Sequence, residues 1–260
     1  MTIVSVDLAS RRYRDIGIAI LKGVPTSVRV ELVQPHEQGL NGTPDVHRFV
    51  RLCTELAAQA AADLILIDGP QGWRASSSEF EHMRVCERCT KTPGKTGIPE
   101  VVKPASWTRM ARFSIEVFDA LEAAGWPRFS ARWPMRRAAV ETFPTHAWRT
   151  LGLASLPGKN RRGTKLTVWA RLLSNSVGVK WPRQPSHDEL QAVVAGVGGL
   201  TLQHSGLTAC DIHGYEPFRE AGSWREGYIL SPREPANRRL HPTAATSLQA
   251  SSKCFCVRRG

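Results

Sequence analysis

The sequence predicts an α/β domain built on a mixed sheet, and three patterns indicate it. An apolar run at residues 3–8 is followed by two more strand-like runs with short polar turns between them, which is typical of an antiparallel meander. A helix-periodic segment then leads to a continuous apolar run at residues 64–67, the pattern of a buried parallel strand. Helical and apolar segments alternate after it. We therefore expect a three-stranded antiparallel meander followed by parallel strands, with helices flanking the sheet.

The individual elements follow from the same periodicities. The third meander strand alternates Val28, Val30 and Leu32 with polar residues. Pro44 suits the first turn of a helix, and Thr43 before it is a suitable cap. The expected strands are residues 3–8, 16–21, 27–33, 64–67, 138–143 and 228–230. The expected helices are residues 44–62, 108–124, 145–151, 165–173 and 186–202, with a further short helix near 80–89.

The composition favours a basic protein with a folded body. Lys and Arg number 35 against 23 Asp and Glu, which gives a net charge of +12 and an isoelectric point near 10.0. Such a balance favours a polyanionic partner, with nucleic acid ahead of an acidic membrane. The 42% apolar and 22% charged content excludes disorder of the whole chain. No run approaches about 18 apolar residues and the N-terminus has no signal-peptide pattern, so we expect a cytoplasmic protein without a membrane span.

The positive charge is concentrated in two places. Residues 236–260 carry five basic and no acidic side chains and are rich in Ser, Thr and Ala, so we expect a domain over 1–235 and a disordered basic tail over 236–260. Residues 158–183 are also free of acids. Their first cations are candidate contacts for a nucleic-acid backbone: Lys159, Arg161, Arg162 and Lys165. A solvated basic loop is the alternative, and the nearby Trp169 and Trp181 are candidates for stacking on a base.

Three aspartates fall where secondary structure would bring them together. Asp7 ends the first strand, Asp68 ends a buried strand, and Asp188 lies in the first turn of a late helix, with Glu141 at the end of another strand. Strand ends of an α/β sheet open onto one crevice, where clustered acids need a cation. Oxygen ligands favour Mg²⁺ or Mn²⁺, and two such ions can support phosphodiester cleavage. The alternatives are an ordinary turn at Asp68 and helix capping around Asp188.

Two neighbouring features leave alternatives open. His187, beside Asp188, is a candidate for positioning a water or a phosphate, or is simply a residue of the first helical turn. Cys86 and Cys89 form a single CxxC, which supplies too few ligands for a structural zinc site by itself. Ordinary reduced thiols are therefore favoured over a zinc or redox site.

The acids stand within motifs that resemble a known family. The motifs are Ile-Val-Ser-Val-Asp at residues 3–7, Leu-Ile-Leu-Ile-Asp-Gly-Pro at 64–70, Val-Glu-Thr-Phe-Pro at 140–144 and His-Asp-Glu-Leu-Gln-Ala at 187–192, with lesser matches at 84–87, 159–163 and 226–232. In order and spacing the sequence resembles domain-of-unknown-function family 429, described as predicted nucleases with a ribonuclease-H-like fold. The resemblance implies that Asp7, Asp68 and Asp188 hold the metal, with Glu141 auxiliary.

The function that these observations favour is a metal-dependent nuclease using a two-metal mechanism, with Mg²⁺ or Mn²⁺ as cofactor and DNA or RNA as partner. One departure from the family favours an alternative, because Gln191 stands where the family commonly has a second acid. That alternative is a catalytically impaired nucleic-acid-binding protein of the same fold. A third possibility is an ATP-dependent phosphotransferase, which the lack of a glycine-rich turn at residues 9–14 disfavours.

Overall fold

The computed structural model describes residues 1–233, and an eight-stranded sheet forms its centre. The strands are β1 (Thr2–Asp7), β2 (Gly17–Val24), β3 (Ser27–Val33), β4 (Leu64–Asp68), β5 (Lys95–Thr96), β6 (Val102–Lys103), β7 (Ala138–Thr142), β8 (Val179–Lys180), β9 (Cys210–Glu220) and β10 (Ser223–Pro232). The helices are α1 (Val46–Ala60), α2 (Val85–Thr90), α3 (Thr108–Ala123), α4 (Pro144–Thr150), α5 (Leu166–Val177) and α6 (His187–Ser205). The predicted tail, 236–260, lies outside the described residues.

The strand order confirms the predicted sheet. Across the sheet the strands run β8-β3-β2-β1-β4-β7-β10-β9, and β5 with β6 forms a separate two-stranded hairpin. β1, β2 and β3 are antiparallel neighbours, whereas β1, β4, β7 and β10 are successive parallel neighbours. A meander followed by parallel strands is the ribonuclease-H-like arrangement. β8 extends the sheet at one edge and β9 extends it at the other.

Helices cover both faces of the sheet. Side chains alternate across β1, so Ile3 packs in one core with α4, α5 and α6, while Val4 packs in another with α1 and α3. Strands covered on both faces are continuous apolar runs, which explains the pattern of β1 and β4. α6 lies very close to the sheet: a Cβ on Gly196 would come within 2.8 Å of Leu21, and one on Gly199 within 2.7 Å of Leu66. The glycines of α6 therefore serve close packing.

Several element boundaries differ from the sequence-based prediction. α1 begins at Val46 rather than Pro44, because Asp45 is its cap and accepts a hydrogen bond from the backbone N–H of Arg48 at 2.9 Å. The short strand expected at 228–230 is the middle of β10, which pairs along its length with β9. Residues 71–103, a long polar segment with one short helix expected near 80–89, also contain the β5–β6 hairpin.

Within residues 1–233, none of the helices combines the length and the apolar composition that a bilayer span requires. The cysteines in this part of the chain form no disulfide, and Cys86 lies fully buried in α2.

Candidate active site

Two aspartates stand side by side at the ends of β1 and β4. The two strands are parallel neighbours, and Asp7 is the register partner of Asp68. Both strands are buried along their apolar residues and become partly exposed at these last positions. Because register partners on adjacent strands point to the same side of a sheet, the two carboxyl groups meet, and they share a hydrogen bond.

The pKa values of Asp7 and Asp68 are both raised by their surroundings. Burial, then the charges of Asp68 and Asp188, raise the pKa of Asp7 well above its ordinary value, and the charge of Lys159 opposes this in part. Burial also raises the pKa of Asp68 to about 7, although the hydrogen bond from Asp7 lowers it. Two adjacent carboxylates in a poorly solvated site cannot both ionise at low cost. The hydrogen bond between the two carboxyl groups is consistent with these raised pKa values, since it requires one of them to carry a proton.

The third aspartate reaches the same region from α6. Ser186 caps the helix through the N–H of Glu189, and the Glu189 carboxylate accepts from the N–H of Ser186, as the capping box predicts. The helix start lies against β2 at Gly17, where a Cβ would stand 2.2 Å from the carbonyl oxygen of Asp188. Gly17 is the register partner of Asp7. A residue without a side chain at Gly17 thus allows Asp188 to approach Asp7.

The Asp188 carboxylate already has cationic and polar partners. It forms an ion pair with Lys159, and Nδ1 of His187 lies 3.3 Å from its Oδ1. Burial alone would raise the pKa of Asp188, but the hydrogen bonds of His187 and Lys159 lower it below the ordinary value. Nε2 of His187 lies 2.9 Å from the carbonyl oxygen of Pro157, so both ring nitrogens are engaged within the protein. His187 is therefore placed to orient Asp188.

The Asp7–Asp68 pair opens into a crevice of about 620 Å³. Four exposed cationic side chains line it beside the two aspartates: Arg11, Arg12, Arg109 and Lys159. The buried Arg84 and the acids Asp15 and Glu141 line it as well. Segment 92–107, which follows α2 and includes the β5–β6 hairpin, also contributes to the lining. A cation-lined cavity with two acids at its base is suited to bind an anionic group next to a divalent cation.

Within residues 1–233, no three His, Cys, Asp or Glu side chains are already grouped as a metal site. Asp7 and Asp68 meet, whereas the Asp188 carboxylate is paired with Lys159. Metal binding by the three aspartates together is therefore a prediction that requires Asp188 to exchange Lys159 for the metal. Glu189 is not available to replace Asp188 as a metal ligand, because its carboxylate accepts hydrogen bonds from Arg183 at 2.5 and 2.8 Å.

Glu141 lies on β7, next to the end of β4 that carries Asp68. Its carboxylate, buried on β7, receives two hydrogen bonds from the guanidinium of Arg84, at 2.6 and 2.8 Å, and one from the N–H of Gln71 at 3.0 Å. Its proximity contributes to the raised pKa of Asp68. With its oxygens occupied by these donors, Glu141 is placed to position residues 71 and 84, and a direct catalytic role stays a prediction.

Arg84 is the centre of a buried network that sequence reasoning missed. Its side chain is 1% exposed and also binds Glu87, at 3.1 Å. Glu87 in turn accepts from the N–H of Thr96 at 2.9 Å, at the start of the hairpin. The Glu226 carboxylate accepts from the N–H groups of Ala75 and Val85. The matches at 84–87 and 226–232 were the available signal, but nothing in the sequence indicated that these segments meet.

The remaining predicted residues lie at varied distances from the crevice. Arg161, Arg162 and Lys165 are exposed on the loop before α5, and of the four basic candidates Lys159 is the one that lines the crevice. The indole N–H groups of Trp169 and Trp181 donate to backbone carbonyls of Ala154 and Ala170, so these side chains anchor the α5 region.

Gln191 is engaged by a tryptophan of α4. Its Oε1 accepts a hydrogen bond from the indole of Trp148 at 2.8 Å. The amide oxygen is thus engaged in the packing of α4 on α6.

Comparisons with known proteins give limited similarity. No family model and no curated protein matches the chain, so membership of family 429 stays a prediction. The chain is similar to a structure of RuvC from Thermus thermophilus, at 10% identity and a TM-score of 0.40, over 78% of this chain and 96% of that one. It is also similar to T. thermophilus RuvC in complex with a Holliday junction substrate, at 12% identity and a TM-score of 0.37, over 79% of this chain and 97% of that one. The fold assignment rests on the strand order, and the functional proposal rests on the crevice.

Proposed function

We propose that this chain is a metal-dependent nuclease that hydrolyses phosphodiester bonds of a nucleic acid. The observation that carries the proposal is the pair of Asp7 and Asp68, adjacent in register, at the base of a cation-lined crevice. Such a pair is costly in the absence of a cation, because burial and mutual repulsion disfavour ionisation of both carboxyl groups. The overall charge of +12 supports a polyanionic substrate.

The residues fit a hard divalent cation. Their donors are carboxylate oxygens, which suit Mg²⁺ or Mn²⁺ rather than zinc. Burial, and then the neighbouring carboxylates, raise the pKa values of Asp7 and Asp68, and a bound cation would offset both effects. Asp188 would complete the ligand set once Lys159 releases it. When bound, two ions would activate a water and stabilise the leaving oxygen.

The chain's own residues would orient the substrate around the acids. Lys159, released from Asp188, and Arg109 line the crevice and would contact the phosphates. His187 would keep Asp188 oriented through its contact with that carboxylate. Arg161, Arg162 and Lys165 would follow the backbone outside the crevice.

Cleavage of single- and double-stranded DNA and RNA with Mg²⁺ or Mn²⁺ tests the proposal. Loss of a residue that merely supports a metal ligand typically costs about 10–100-fold, so Asp7→Asn should lower cleavage by more than about 100-fold. Asp63→Asn is the matched control, because Asp63 is exposed just before β4, at the opposite end of that strand from Asp68. Equal cleavage by wild type and Asp7→Asn would reject the proposal.

A catalytically impaired nucleic-acid-binding protein is the second candidate. Two observations favour it: Gln191 is engaged by Trp148, and Lys159 neutralises Asp188. Under this alternative the protein binds nucleic acid with a steep salt dependence, binding is unchanged by a chelator, and no cleavage occurs with either cation.

A further inference from the structure

We propose that Trp107 is a stacking platform for an unpaired base, so that the substrate is single-stranded or locally unpaired nucleic acid. This inference rests on the proposed function for its substrate class, and it concerns the part of the crevice lining that segment 92–107 contributes. Trp107 precedes α3, lines the crevice, and is 41% exposed. Exposure alone does not single this indole out, but Trp107 is the exposed aromatic side chain, among residues 1–233, that shares the crevice lining with Asp7, Asp68 and exposed cations.

One side of the indole is fixed by backbone. Gly94 lies so close that a Cβ there would stand 2.9 Å from Cε3 and 3.2 Å from Cδ2 of Trp107. Gly94 therefore acts as a flat support, and any larger residue would displace the ring. A ring supported on one side has less conformational freedom to lose when a base stacks on its exposed side, which favours its use as a platform.

The support is tied to the sheet through the Arg84 network. The carbonyl of Gly94 accepts a hydrogen bond from Thr92 at 2.8 Å, and the N–H of Thr96 donates to Glu87. Glu87 is bound to Arg84, and Arg84 to Glu141 on β7. β7 is the direct neighbour of β4, the strand that carries Asp68. This chain of contacts holds the Trp107 platform at a defined position relative to the acids.

The charges around the platform fit a nucleotide strand. Arg109 follows Trp107 by two residues and also lines the crevice, with Arg11 and Arg12 contributed by the loop after β1. A base on the indole would thus have cations for its phosphates and the Asp7–Asp68 pair within the same cavity. Bases of an intact duplex are stacked on each other and cannot offer a face to the indole without unpairing.

Fluorescence anisotropy with labelled oligothymidylate, and with a duplex of equal length, tests the inference in buffer containing a chelator. Base–aromatic stacking contributes about 1–3 kcal/mol per base, so Trp107→Ala should weaken single-strand binding about tenfold. Trp107→Phe should recover most of that affinity, and duplex binding should change less than about twofold. Phe218→Ala is the matched control, because Phe218 is 40% exposed on β9 and lies outside the crevice lining.

Unchanged single-strand binding by Trp107→Ala would overturn the inference, and so would an equal loss on duplex or no recovery by Trp107→Phe. Circular dichroism of each variant verifies that the fold is retained. Because binding is measured without divalent cations, the result does not depend on catalysis. A protein that never cleaves but shows the predicted Trp107 dependence of binding would refute the nuclease proposal and support the platform. A protein that cleaves but binds single strands equally well with and without Trp107 would refute the platform alone.

Discussion

Replacing Arg84 with methionine is expected to destabilise the protein by about 3–5 kcal/mol, because it leaves two buried carboxylates without their cation. Arg84 is 1% exposed and binds both Glu87 and Glu141, each of which is 3% exposed. Methionine has a similar length but supplies none of the donors. The Glu141 and Glu87 charges would then have to be protonated or hydrated, at the expense of packing between α2, β7 and β10.

Urea unfolding of the wild type and of Arg84→Met measures this effect. Arg112→Met is the matched control, since Arg112 forms an ion pair with Glu100 in which both side chains are about half exposed. An exposed pair contributes about 0–1 kcal/mol, so this control should lie near the wild type. A loss for Arg84→Met no larger than for Arg112→Met would contradict the assigned role of the buried network.

A second large effect is expected in the pH dependence of the metal-free protein. The pKa values of Asp7 and Asp68 are raised in the folded state, so between the unfolded and folded pKa values the folded protein binds more protons. Stability therefore falls as pH rises, from about pH 4 through about pH 8. The shift of Asp68 to about 7 corresponds to an effect of about 2–4 kcal/mol. The positive charge of Lys159 lowers the pKa of Asp7 and so reduces this loss of stability. The negative charges of Asp188 and Glu141 raise the pKa values of Asp7 and Asp68, respectively, and so increase it.

Asp7→Asn should remove most of that loss. The amide carries no charge and can still donate to Asp68, so in chelator at pH 8 the variant should be about 1–3 kcal/mol more stable than the wild type. Mg²⁺ should stabilise the wild type and have little effect on the variant. Thermal unfolding across pH, with Asp63→Asn as control, measures both. A variant less stable than the wild type at pH 8 would show that the acid pair serves folding instead.

Local sequence patterns were sufficient to predict the strands of the core. β1, β3 and β4 are strongly periodic or continuous apolar runs, and the parallel pairing of β1 with β4 follows from the helix between them. β9 and β10 were largely missed because β9 is an edge strand with few buried positions, interrupted by Gly214 and Pro217. Its pairing with β10 is set by tertiary contacts rather than by a local pattern.

The acids were accessible to sequence reasoning because strand ends meet at one edge of a sheet. The partners of those acids were not. Whether Asp188 binds Lys159 or a metal, and whether Glu141 faces solvent or Arg84, depends on the path of loops that have no periodicity. Trp107 was likewise indistinguishable from a core tryptophan, since exposure is a property of the folded chain.

The most direct test of the central claim is a crystal structure of the protein soaked in Mn²⁺, with anomalous scattering used to locate the ion. We expect Mn²⁺ in the crevice, with carboxylate oxygens of both Asp7 and Asp68 at roughly 2.1 Å from the ion and Asp188 released from Lys159. The same soak of Asp7→Asn should show no ion there. A wild-type crevice without Mn²⁺, in which Lys159 still holds Asp188 and the two aspartates remain hydrogen-bonded to each other, would contradict the metal-site assignment.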